Sequence, residues 1–128
     1  MIQRIFPHDA PTPRGPYAPA VRAGEFLFVS GQGPVDPVTD KLSYGTIQHE
    51  TRMTLKNIQR ILKAAGAELS HVVKCNVYLR DRRDFTGMNE VYAEYFAEER
   101  PARTTVGTEL PDAKMKVEID CVAYLPEK

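Results

Sequence analysis

Cysteine is scarce in this 128-residue chain. Cys75 and Cys121 stand far apart with no CxxC partner. Each lies in an apolar stretch that reads as strand, where a free thiol behaves as a small hydrophobe, so buried thiols are expected and neither a nucleophile nor a redox pair. Histidine is equally thin. His8, His49 and His71 fall on separate segments, and none lies three to five residues from a second His. That spacing argues against a metal enzyme. Net charge is absent too: 17 Lys and Arg balance 17 Asp and Glu. Without a basic footprint for phosphate backbones, nucleic acid is not an expected partner. Nor do about 18 apolar residues run together anywhere, so no membrane span is expected. The opening Met1–Pro7 is too short and too interrupted for a signal-peptide apolar region, which makes the cytoplasm the expected location.

Motifs for covalent and nucleotide chemistry are missing as well. There is no GxSxG elbow and no Ser, His and Asp set in recognisable context, so catalysis, if it occurs, uses water rather than an acyl-enzyme. Gly31-Gln32-Gly33 lacks the later glycine of a dinucleotide fingerprint and the Lys-Ser/Thr of a P-loop. By pattern alone it is a turn after a strand.

What is present suffices for a core. With 42% hydrophobic residues, a chain of this length is expected to fold as one domain over residues 1–128 without metals or disulfides. Pro11, Pro13, Pro16 and Pro19 crowd one segment that cannot be helical, because proline lacks the amide donor and fixes its own φ. Its PxxP spacings are a weak match to a polyproline ligand, and a structured loop leading into a strand is the better reading. Glu25–Ser30 is aromatic and β-branched between Gly24 and a glycine-proline breaker, and reads as a strand covered on both faces.

Between Ile47 and Ala65, Leu55, Ile58, Ile61, Leu62 and Ala65 recur at helical spacing, with Gly66 as the stop. Val72–Leu79 changes to period two. Val73, Cys75, Val77 and Leu79 share one face, and Lys74, Asn76, Tyr78 and Arg80 the other. Asp84 is placed to cap a second helix, whose stripe of Met88, Val91, Tyr92, Tyr95 and Phe96 should end near Glu99, before Pro101. Met115, Val117, Ile119, Cys121 and Ala123 then alternate with Lys116, Glu118 and Asp120 as a further strand. The order predicts an α+β fold, a mixed β-sheet with two helices packed on one face. The sheet's other face carries Lys74, Arg80, Glu118 and Asp120 beside Tyr78, Val122 and Tyr124. Such a mixture suits either solvent or a partner subunit.

The segment Arg100-Pro101-Ala102-Arg103-Thr104-Thr105-Val106-Gly107 joins a proline stop, an arginine at a strand start and small polar residues. It resembles the Pro-Ala-Arg-(Ser/Thr) signature of the Rid family, the YjgF-type proteins. Gly15-Pro16-Tyr17, Val29-Ser30-Gly31-Gln32, Leu55-Lys56-Asn57-Ile58, Ala64-Ala65-Gly66, Asp84-Phe85, Asn89 with Tyr92 and Phe96, and Val117-Glu118-Ile119 resemble it in the same order. The similarity runs from about residue 8 to residue 125.

The resemblance implies a chorismate-mutase-like YjgF fold and a homotrimer with a barrel-like centre and active sites between subunits. It also implies hydrolysis of 2-imino or 2-enamino acids to 2-keto acids and ammonia, a damage-control role, with no cofactor. Arg103 then matches the arginine that holds the substrate carboxylate. A guanidinium fork suits that task, at about 1.5–3 kcal/mol per hydrogen bond to a charged group, where an exposed salt bridge contributes only ~0–1 kcal/mol. Glu118 matches the glutamate that orients water at the imine carbon. Tyr17 matches a tyrosine lining the cleft. Ser30 and Gly31 match the loop that approaches the ligand, and Asn89 a polar residue at the subunit boundary.

Thr105 departs from the cysteine found in many relatives, so no step here depends on that thiol, although its backbone remains able to bind the carboxylate. Asp120 replaces a common glutamate and is given no catalytic role. Alternatives within the resemblance are a deaminase of the 2-aminomuconate type, which would need further cationic reach near the cleft, and a non-catalytic trimer that binds keto acids. Ribonuclease activity, attached to some relatives, finds no support in the neutral charge.

Overall fold

The period-two stretches pair into one six-stranded sheet. The computed structural model describes residues 1–126. Its strands are β1 (Ile2–Ile5), β2 (Ala20–Ala23), β3 (Phe26–Gln32), β6 (Val72–Leu79), β7 (Ala102–Gly107) and β8 (Val117–Tyr124), in the order β1-β2-β3-β8-β6-β7. β4 (Val35–Asp36) and β5 (Lys41–Leu42) form a separate small hairpin. Every pairing in the large sheet is antiparallel except β6 with β7, which the second helix connects, as a parallel pair requires. The expected α+β architecture is the observed one.

Helix α1 (Ile47–Ala64) starts where Thr46 accepts a hydrogen bond from the His49 amide, 3.1 Å away. It stops in a Schellman turn. Gly66 takes φ 80°, its amide bonds to the Lys63 carbonyl, and the Ala67 amide reaches Leu62, 2.8 Å away. The stripe read from the sequence is the buried face: Leu55, Ile58, Ile61 and Leu62 are sealed against the sheet's inner residues, among them Leu27, Val29, Cys75, Val77, Ile119 and Cys121. Each such side chain contributes roughly 1.5–3 kcal/mol through burial. Cys75 and Cys121 face each other across β6 and β8 as free, buried thiols.

Four details differ from the sequence reading. Helix α2 spans Phe85–Tyr95 and ends four residues before Glu99, because Phe96 leaves helical backbone to bury its ring against Tyr92, with centroids 4.7 Å apart. Asp84 makes no capping bond. Asp81 caps instead, accepting from the Arg83 amide at the head of a 3-10 turn (Arg82–Asp84) that feeds the helix. Val73 is exposed, since a bulge between Val72 and Lys74 turns Val72 inward in its place. Finally, β3 is covered on one face only. Phe26 and Phe28 remain 44% and 48% exposed, because both helices lie on the opposite face and this chain supplies no second layer.

Candidate active site

A cavity of about 410 Å³ opens between the proline-rich loop, the end of β3, the β4–β5 hairpin and the segment leading into β8. Tyr17, Ser30, Gly31 and Glu118 all line it. The prolines hold the loop extended over the sheet end, and two hydrogen bonds pin it there. Ser30 Oγ donates to the Ala18 carbonyl at 2.6 Å, and the Ser30 amide to Pro19 at 2.9 Å. Tyr17 is part-exposed, and its hydroxyl accepts from the Arg14 amide at 3.2 Å.

Glu118 lies on the open face of β8, opposite Tyr78 in register. Its carboxylate packs so closely on Gly31 that an added Cβ would overlap Oε2 and come within 3.0 Å of Cδ. Glycine is therefore what admits the carboxylate to the cavity floor. Burial pushes the Glu118 carboxyl above the usual range, and the nearby charge of Asp120 adds to the shift. Asp120 itself accepts from Asn76 and from the Tyr78 hydroxyl, both at 2.9 Å, so it is occupied within the sheet face.

Arg103 is elsewhere. On β7 it pairs with inward-facing Cys75, which turns its side chain to the helix face, under α2. Its guanidinium carbon sits 4.6 Å from the centre of the Tyr92 ring and 5.6 Å from that of Phe85, and Nη1 is 4.0 Å from Met88 Sδ. Stacking on aromatic faces holds a planar cation without spending its hydrogen-bond donors. Among the described residues no acid forms an ion pair with it. Thr105, two residues on and on the same face, has a buried hydroxyl with no partner, as does Tyr92. Asn89 is half-buried on α2, one residue after Met88.

The sequence-derived residues thus fall into two groups. Tyr17, Ser30, Gly31 and Glu118 share one cavity, whereas Arg103, Thr105 and Asn89 belong to the β7–α2 edge. Within one chain Arg103 and Glu118 stand two strand spacings apart across the sheet, roughly 10 Å, and three residues apart along it, roughly another 10 Å, on opposite faces. Sequence reasoning read Met115 as the start of the last strand, whereas it lies before β8 and lines the cavity, and it missed Arg14 and Asp112, which also line it. They come from loops, where no periodicity marks a residue as inward.

Comparison with known proteins gives concordant results. The pattern of the family described as Endoribonuclease L-PSP matches residues 7–125. A RutC family protein of Pyrococcus horikoshii is 48% identical over 124 residues, covering 97% of this chain and 98% of that one. The 3-aminoacrylate deaminase RutC of Acinetobacter baylyi is 42% identical over 123 residues, with 94% and 96% covered. The crystal structure of RidA from an Antarctic Psychrobacter superposes with a TM-score of 0.91 at 38% identity, covering 96% of this chain and 99% of that chain.

Proposed function

The chain belongs to the Endoribonuclease L-PSP family, which includes the Rid proteins, and on that premise we propose that it hydrolyses 2-imino and 2-enamino acids to 2-keto acids and ammonia. 2-Iminopropionate and 2-iminobutyrate are the substrates proposed. The observation that carries this reading is Arg103: a half-buried guanidinium in the Pro-Ala-Arg-Thr segment, stacked on two aromatic rings and free of any acid among the described residues. A substrate carboxylate supplies the missing anion, with the Thr105 backbone amide proposed as a further donor.

Because Arg103 and Glu118 point to opposite faces, one substrate meets both only where two copies pack together. The open sheet face fits such packing, with Phe26, Phe28, Val106 and Tyr124 exposed upon it. A homotrimer with its sheets around a barrel-like centre and its sites between subunits is the assembly proposed. In that site Glu118 accepts a proton from water as the oxygen adds to the imine carbon. It passes that proton to the imine nitrogen to complete the carbinolamine. It then takes the carbinolamine hydroxyl proton and delivers it to nitrogen as the C=O bond forms, the C–N bond breaks and ammonia leaves. A carboxyl whose pKa burial lifts above its ordinary value suits a group that must both take and give a proton. No cofactor enters this scheme. One domain, a cytoplasmic location and a small-molecule substrate complete it, and no described helix is long and apolar enough to cross a membrane.

The test generates 2-iminopropionate and 2-iminobutyrate in situ with an amino-acid oxidase and traps residual imine with semicarbazide. Wild type is expected to suppress trapping, and Arg103→Ala and Glu118→Ala to fail. Wild-type protein as inert as buffer would sink the reading and leave a keto-acid binder.

A further inference from the structure

The cavity beside Glu118 is larger than a methyl or ethyl side chain needs. At about 410 Å³ it falls in the range of roughly 300–1,000 Å³ typical of pockets that enclose a sizeable ligand. Pro11, Leu42, Pro111 and Met115 give it apolar walls, and Arg14 sits in the same lining.

Arg14 is held in place without a direct ion pair among the described residues, although the Asp112 carboxylate lies near enough to feel its charge. Its Nη2 donates to the Asp40 carbonyl at 2.7 Å. Of the acids nearby, Asp112 is committed: both its oxygens accept from the Tyr44 hydroxyl, at 3.1 and 3.0 Å, and Oδ1 also accepts from the Lys114 and Met115 amides at 2.9 Å. Asp40 directs Oδ1 to the Thr12 amide at 2.9 Å. The remaining acid in the lining, Glu118, is the one assigned to water. A tethered cation therefore faces a roomy cavity with its other donors available, and a guanidinium in that position selects a planar anion.

We infer that Arg14 determines side-chain specificity by binding the distal carboxylate of dicarboxylic 2-imino acids such as 2-iminoglutarate. This rests on the reading of Glu118 and Arg103 given above. The cavity then sorts substrates by the far end while the shared carboxylate and imine go to Arg103 and Glu118.

The experiment has two arms. In the first, 2-iminoglutarate made by a glutamate oxidase and 2-iminobutyrate made by an amino-acid oxidase are compared in the semicarbazide assay with wild type, Arg14→Gln and Arg14→Lys. The ratio of the two kcat/KM values is expected to favour the dicarboxylate in wild type, to fall about tenfold or more in Arg14→Gln, and to recover in part in Arg14→Lys. In the second, the stable products 2-oxoglutarate and 2-oxobutyrate are titrated calorimetrically into the same proteins, and the same change of preference is expected. An unchanged ratio in both arms overturns the inference while leaving imine hydrolysis standing. If wild type hydrolyses neither imine, the functional reading fails, and the titration alone decides Arg14: a preference lost in Arg14→Gln supports the assignment, and one retained overturns it.

Discussion

Gly31→Ala separates catalysis from folding in a way the geometry makes quantitative. The new methyl group would overlap Glu118 Oε2 and crowd Cδ and Cγ, at 3.0 and 3.3 Å. Gly31 does not have positive φ, so alanine brings no backbone strain. The obstacle is the far end of a flexible side chain, which swings aside at an off-rotamer cost of about 0.5–1.5 kcal/mol. For a chain of this size that lowers Tm by only a few degrees, on the order of 4 °C per kcal/mol. Catalytically the loss is larger, because a displaced Glu118 no longer orients water, and general acid–base assistance is worth about 10²–10⁴-fold. We expect kcat/KM for 2-iminobutyrate to fall by roughly 10² or more while circular-dichroism melting changes little. Since both substitutions act on one carboxylate, Gly31→Ala combined with Glu118→Ala should be no slower than Glu118→Ala alone. Multiplying losses in the double variant, or near-wild-type turnover in Gly31→Ala, would refute the proposed coupling.

Four further outcomes follow. Asp120 helps hold the Glu118 carboxyl above its usual range, so Asp120→Asn should move the acid limb of the kcat/KM profile to lower pH, because the base form of Glu118 then persists further down. The same raised pKa means that this group's contribution to stability is present below the unfolded-state value near 4.5 and is lost as pH rises through the shifted one; urea midpoints across that window report it. Glu50 is fully buried and accepts from the Lys116 amide at 2.7 Å and the Gly45 amide at 3.1 Å. Glu50→Ala should cost about 1–3 kcal/mol for each donor left unpaired, as measured by chemical denaturation. Phe28→Asp places a charge on the open sheet face and should yield monomers by light scattering, together with loss of imine hydrolysis; an active monomer would contradict the shared site.

Some of this was legible before any coordinates. The 3.6-residue stripe of Leu55, Ile58, Ile61 and Leu62 and the two-residue alternation from Val117 to Ala123 specify which faces become apolar, and apolar faces must be buried together. The Pro-Ala-Arg-Thr segment, Gly31 and Glu118 were picked out through the family resemblance, since by pattern alone Gly31 reads as a turn and Glu118 as a polar residue of an alternating strand. Local pattern was less reliable where tertiary contacts compete with it. Phe96 left its helix to reach Tyr92, a bulge exchanged Val73 for Val72, and Glu50, an acid in a helix's first turn, is sealed under two loops whose amides it satisfies.

By itself, then, the sequence determined the alternation of strands and helices, the buried faces and the identity of the chemical groups. Tertiary structure alone decided their placement: Arg103 under α2, Glu118 on the far side of the sheet, and Arg14 in the same cavity as Glu118. The reason is that side-chain direction in a strand depends on pairing register and on which face the helices cover. Those are properties of the packed sheet, and no single segment carries them.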